Sequence, residues 1–107
     1  MLGKAYLSAN TVAQAVNITT PTVDVGKVYI YIFGPYGTVD FDINLSLYVG
    51  DSTGKPDTLV STATLAGSEI TEDGWYAFEF NYSGVSPASG YLTFVFDQDG
   101  GDVNNYV

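Results

Sequence analysis

The chain has 107 residues, a net charge of −9, and neither Cys nor His. The missing Cys excludes disulfides and thiolate zinc sites, and the missing His removes the commonest general base and the commonest metal ligand. Only 3 Lys and no Arg stand against 12 Asp plus Glu. We therefore expect no binding to nucleic acid and none to an anionic membrane surface.

The composition is typical of an all-β protein. Aromatic residues make up 15% of the chain, and Thr, Val, Ile and Gly are frequent. No apolar run approaches the roughly 20 residues of a membrane-spanning helix, and no signal peptide opens the chain. The length is that of one domain, which we assign to residues 1–107.

Apolar residues alternate with polar ones in a series of short segments, as in half-buried antiparallel strands. The first strands are predicted at 4–8 and at 12–18. We prefer a strand to a helix for the second segment, because it is short and Pro21 closely follows it. Residues 25–33 are apolar or aromatic on both faces, so this strand is predicted to be central and covered on both sides.

A hairpin is predicted over residues 41–65, around a turn at 51–56 that is rich in turn-forming residues. Further strands are predicted at 75–82 and 91–97, and the start of another at 105–107. Seven or eight short strands with this spacing indicate an antiparallel β-sandwich. The residues predicted to point into the core are Val28, Ile30, Ile32, Ile43, Leu45, Leu47, Leu59, Phe78, Phe80, Leu92, Phe94 and Phe96.

Four segments in this order carry a resemblance to a known class: VYIYI, LSLYVGDSTGKPDTLVSTATL, GWYAFEF and SPASGYLTFVF. The pattern resembles the jelly-roll sandwich modules of cell-surface proteins and of phage tail or head-surface proteins, which are similar in shape to carbohydrate-binding modules. The resemblance covers residues 25–96. It implies a jelly-roll-like fold and a virion or extracellular location, but its motifs are turn and core motifs and indicate fold more than function. Such modules usually continue beyond this point, so we expect the closing strand to be missing.

Two groups of acidic residues are candidate Ca²⁺ sites; no other cofactor is expected. The first is Asp97, Asp99 and Asp102, spaced around two glycines, because carboxylates two residues apart can share one ion. Its alternative is a solvated acidic turn. The second is Asp51 with Thr53 and the carbonyl of Lys55, and its alternative is a turn in which Asp51 caps its own backbone.

Aromatic residues are the candidate ligand-binding groups, because their flat faces can stack on sugars. Trp75, Tyr36 and Tyr82 are the main candidates, and the other tyrosines considered are Tyr29, Tyr31 and Tyr48. The alternative is that most of them lie in the core. Tyr36 follows a Gly-Pro turn and is expected to be the most exposed. No pair of carboxylates is placed across a cleft, so we expect no enzyme.

We expect a non-enzymatic structural or adhesion module of a virion or extracellular assembly. The alternative is a carbohydrate-binding module excised from a larger secreted enzyme or adhesin. Strands 25–33 and 91–97 are expected to flank the missing closing strand and to expose unpaired backbone groups. Either residues 1–18 fold back over this edge in a monomer, or a neighbouring protomer donates a strand. We favour the second, a homo-oligomer formed through sheet edges.

Overall fold

The computed structural model describes residues 12–33, 35, 37, 39, 41–87 and 90–98. The strands in these residues are β1 (Val12–Asn17), β2 (Val23–Ile32), β3 (Ile43–Gly50), β4 (Pro56–Leu65), β5 (Gly74–Val85) and β6 (Tyr91–Gln98), with a 3-10 turn at Gly67–Glu69. Every pairing among them is antiparallel. The all-β prediction is confirmed, including the strand, rather than a helix, after residue 11. The strands predicted at 4–8 and 105–107 lie outside the described residues.

The strands form two sheets that pack face to face. One sheet has four strands in the order β1-β6-β3-β4, and the other pairs β2 with β5. Phe78 and Phe80 of β5 meet Phe96 and Phe94 of β6 across the interior, with ring centroids 6.4 and 6.1 Å apart. Edge-to-face contacts of this kind fill the space between sheets efficiently. The arrangement fits a β-sandwich.

Eleven of the twelve residues predicted to point inward lie in or against the core, which also contains Val25, Val39, Ala63, Ile70 and Val85. Eight are buried, and Val28, Ile30 and Phe94 are half-buried against the same cluster. Leu59 was wrongly predicted and is 55% exposed. β4 carries one extra residue between the pairs Leu47–Ser61 and Tyr48–Leu59, and this bulge turns Leu59 to the outer face.

The prediction that β2 is central and covered on both faces is wrong. Among the described residues it pairs only with β5, and its outer residues Tyr29, Tyr31 and Phe33 are exposed. Aromatic residues favour strands whether or not a second layer covers them. Alternation with two apolar faces therefore did not distinguish a central strand from one that shows aromatic rings to solvent.

The predicted edge at 91–97 is also wrong. β6 lies inside the four-stranded sheet, with β3 on one side and β1 on the other. Val12 to Asn17 pair with Phe96 to Tyr91, so β1 covers this edge of β6. Of the two outcomes weighed from the sequence, the structure has the self-covered one at this position.

The connection from β4 to β5 closes one end of the sandwich. Ile70 in this loop is 3% exposed and belongs to the core. Gly67 packs so closely that a Cβ there would overlap the carbonyl oxygen of Phe41 and lie 2.6 Å from Cγ1 of Val39. Only glycine fits at this position, and its close packing fixes the path of the chain into β5.

Candidate binding surface

The outer face of the two-stranded sheet carries most of the exposed aromatic side chains. Strand alternation places Tyr29 and Tyr31 of β2 on this face, opposite Ala77 and Trp75 of β5. Phe33, directly after β2, continues the same alternation. We call Tyr29, Tyr31, Phe33 and Trp75 the aromatic strip.

The rings at one end of the aromatic strip contact one another. The ring centroid of Tyr31 lies 5.3 Å from that of Trp75, and the two ring planes are nearly perpendicular. The ring centroid of Tyr31 also lies 4.9 Å from that of Phe33. These distances are those of favourable ring pairs. Even so, Trp75 is 69% exposed and Phe33 50%. Grouped, exposed rings of this kind make the aromatic strip a candidate interaction site.

An ion pair bounds the aromatic strip at its other end. Nζ of Lys27 lies 3.4 Å from Oε1 of Glu79, and more than half of each side chain is exposed. Beyond this pair the register shifts between Lys27–Glu79 and Val25–Tyr82. Such a bulge changes which residues face outward, so the strip ends here.

The three ligand-binding residues predicted from sequence do not form one group among the described residues. Trp75 lies in the aromatic strip. Tyr82 is exposed but lies seven residues further along β5, beyond the bulge and about 20 Å away along the strand. Tyr36 lies outside the described residues. Phe33 was not among the candidate ligand-binding residues predicted from sequence, although its alternation with Tyr29 and Tyr31 places it on the same face.

Acidic side chains collect at the end of the sandwich where β2, β4 and β6 finish and β3 and β5 begin. We call this the acidic end; its described members are Asp42, Glu69, Glu72, Asp73 and Asp97. The hydroxyl of Tyr76 donates a 2.7 Å hydrogen bond to the carbonyl of Glu72 and holds the loop just before Trp75. The aromatic strip therefore runs up to the acidic end.

The described lysines both lie away from the acidic end. Lys27 is at the far end of the aromatic strip, and Lys55 is in the turn between β3 and β4. This turn lies at the opposite end of the sandwich. Charge is thus unevenly distributed along the long axis of the strands.

The first predicted calcium site can be described only in part. Asp97 is the penultimate residue of β6, and its Oδ1 is buried without a hydrogen-bond partner among the described residues. Asp99 and Asp102 lie outside those residues. No group of three metal-ligating side chains occurs within the described ranges. Calcium binding stays a prediction, tested by whether millimolar Ca²⁺ raises the melting temperature and Asp99→Asn abolishes the rise.

The second candidate, Asp51, caps the turn that follows β3. Its Oδ1 accepts hydrogen bonds from the Thr53 hydroxyl at 2.6 Å, the Thr53 amide at 2.8 Å and the Lys55 amide at 3.1 Å. These bonds, the one from the Thr53 hydroxyl first, lower the pKa of the Asp51 carboxyl. Three donors on one oxygen are what the capping interpretation predicts.

The outer face of the four-stranded sheet is polar and partly covered by this turn. Ser46 and Thr62 share a hydrogen bond of 3.0 Å, and the Thr64 hydroxyl donates to Oδ1 of Asn44 at 2.8 Å. Thr93, 1% exposed, donates to the carbonyl of Gly54 at 2.7 Å. The turn is thereby held against β6. Among the described residues this face carries one exposed large apolar side chain, Leu59, whereas the aromatic strip carries four.

No family model matches the chain, and no curated protein or solved structure matches it. Within the described residues, no helix has the length and apolar character needed to span a membrane. The exposed surface itself is therefore the basis for a functional assignment.

Proposed function

We propose that the protein is a non-enzymatic adhesion or structural module of a virion or extracellular assembly, with a jelly-roll-like sandwich as its scaffold. It attaches to its partner through the aromatic strip. The observation that carries the proposal is the exposure of Trp75, 69%, beside the rings of Tyr31 and Phe33.

Binding through this surface requires no conformational change of the strands. The aromatic rings stand on two paired strands, so their backbone is ordered before a partner arrives. Trp and Tyr are the residues that most often dominate interface energies, because each buries a large area at low entropic cost. A pair such as Tyr31 and Trp75 is therefore suited to anchor the centre of an interface.

A solid-phase assay tests the proposal. Labelled protein is applied to immobilised panels of polysaccharides and of surface proteins, and its retention is compared with that of the Trp75→Ala/Tyr31→Ala variant. We expect the double variant to lose retention at least tenfold, since hot-spot residues contribute about 2 kcal/mol or more.

The matched control is Leu59→Ala, which removes an exposed apolar side chain, 55% exposed, from the other sheet. It should be retained like the unaltered protein. Equal loss in the control and in the double variant, or no loss in either, would contradict the proposal.

The second candidate function is a carbohydrate-binding module. It is favoured by the planar, exposed ring of Trp75, which could stack on a sugar. Native gels containing soluble glucan, xylan or chitin derivatives would retard the protein, and Trp75→Ala would migrate freely. Retardation unaffected by salt would favour this function, because sugar stacking needs no charge.

Association through sheet edges is part of the main proposal. Because β1 covers β6, the edge strands that remain among the described residues are β1 and β4 of one sheet and both strands of the other. An exposed edge can pair with a second chain. Light scattering after size exclusion at low micromolar concentration should give a mass above 11.4 kDa. A stable 11.4 kDa species on concentration would overturn this part.

A further inference from the structure

We infer that the aromatic strip binds an arginine-bearing segment of a protein partner, with the cationic groups directed toward the acidic end. This inference rests on the proposed function and names the chemistry of the partner. It joins two observations made on different side chains: exposed rings on the face of the two-stranded sheet, and carboxylates at the adjoining end of the sandwich.

The charge distribution is the first argument. Glu72 and Asp73 come just before Trp75, and Glu69 and Asp42 are exposed at the same end. The described lysines are elsewhere, at the far end of the strip and in the opposite turn. With a net charge of −9 the whole chain attracts cations, and the acidic end concentrates that attraction beside the rings.

The chemistry of the rings is the second argument. A guanidinium group stacks on aromatic faces and also pairs with carboxylates, a combination that an ammonium group satisfies less well. Trp is the best partner for such stacking. Glu72 and Asp73 lie three and two residues before Trp75, within about 11 Å along the chain. One arginine side chain can reach a ring and a carboxylate at this spacing.

Other occupants fit these observations less well. A second copy would bring another net charge of −9 against the same surface. A neutral glycan could stack on Trp75 but would gain no Coulombic attraction from the acidic end. An arginine-bearing segment uses both features, and its binding should weaken as salt screens the carboxylates.

Trp75 is the only Trp in the chain, so its fluorescence reports directly on the proposed site. The probe is a hexa-arginine peptide titrated into the full chain, with hexa-lysine as the comparison. We expect a saturable change in Trp75 emission, tighter binding of hexa-arginine than of hexa-lysine, and weakening at high salt.

Three variants localise the effect. Tyr31→Ala should weaken hexa-arginine binding about three- to thirtyfold, the size of one cation–π contact. Glu72→Gln/Asp73→Asn should weaken it several-fold and reduce its salt dependence. Asp57→Asn, at the opposite end on β4, removes an exposed carboxylate and should bind like the unaltered protein. Circular dichroism confirms that each variant is folded before titration.

The outcomes separate the two proposals. If Asp57→Asn weakens binding as much as Glu72→Gln/Asp73→Asn, only net charge attracts the peptide and the inference fails. If the panel assay depends on Trp75 and Tyr31 but hexa-arginine leaves the emission unchanged, the proposed function stands and the inference fails. If the Trp75 emission responds instead to a polysaccharide, and this response does not depend on salt, the partner is a glycan and not a protein segment.

Discussion

The outer faces of the two sheets differ in the side chains that they expose to solvent. On the four-stranded sheet, hydroxyl and amide side chains bond one another across strands, as Ser46 does with Thr62. The turn capped by Asp51 is held against that face by the hydrogen bond from Thr93 to Gly54. On the two-stranded sheet, the outward side chains include Tyr29, Tyr31 and Trp75, which together with Phe33 stay exposed among the described residues.

The difference shows that the same alternation of side chains can produce either a polar outer face or an aromatic one. An antiparallel sheet with one face in water normally places polar groups there, and the four-stranded sheet does so. The two-stranded sheet instead keeps apolar area in contact with water, at a cost that burial against a partner would remove. Both faces are made by the same alternation along the strands, and the side chains at the outward positions set the chemistry of each face.

The sharpest test of the comparison uses two residues of one strand. Phe78 of β5 points inward and is 1% exposed, whereas Trp75 points outward. Phe78→Ala should lower the free energy of unfolding by about 3–5 kcal/mol, because it leaves a cavity. Trp75→Ala should lower it by at most about 1 kcal/mol, chiefly through the lost contact with Tyr31. Urea denaturation of both variants would measure the difference. Similar losses of stability would mean that Phe78 and Trp75 do not point to opposite faces of β5.

A second test concerns the loop that brings Trp75 onto its face. Gly67→Ala forces a Cβ against Phe41 and Val39 and should destabilise the fold by about 1–3 kcal/mol. Gly26 of β2 has no atom within 4 Å of an added Cβ. Gly26→Ala should therefore be neutral or stabilising by up to about 1 kcal/mol. Thermal unfolding of the pair would show whether close packing, rather than loss of glycine as such, sets the cost.

A third test separates buried from exposed hydroxyls on the polar face. Thr93→Val removes the donor to the Gly54 carbonyl and should cost about 1–3 kcal/mol in unfolding free energy. Thr62→Val breaks an exposed bond to Ser46 and should change stability by about 0.5 kcal/mol or less. Equal effects in chemical denaturation would show that the turn does not protect Thr93 from water.

The smallest expected effect is a pH dependence in the turn. The pKa of Asp51 in the folded state lies below its ordinary value of 3.8, so its charged form stabilises the fold above that pH. The stabilisation is lost as pH falls through the folded-state pKa. Asp51→Asn should therefore be less stable than the unaltered protein near pH 6, and the gap in urea midpoint should narrow toward pH 2. A constant gap would rule out the charge of Asp51 as its origin.

The sequence was sufficient to predict the six described strands and eight of the thirteen buried apolar residues, because side chains such as Ile43, Leu45 and Phe78 follow a strict period of two. It failed where the period breaks or is ambiguous. The bulge opposite Tyr48 places Leu59 on the outer face, and no residue type in the sequence predicts a bulge of this kind. The aromatic face of β2 looked like a second buried face, because periodicity records alternation and not the presence of a covering layer.

The pairing of β1 with β6 has a consequence for how the chain reaches this structure. Asn17 lies opposite Tyr91, so 73 residues separate two partners that form neighbouring strands. Closing so long a loop costs chain entropy, and folding rates fall as contacting residues become more distant in sequence. During synthesis β1 emerges first but must wait for nearly the whole domain before its partner exists. We therefore expect the hairpin of β3 and β4 to form early and β1 to dock late, as one of the last steps of folding.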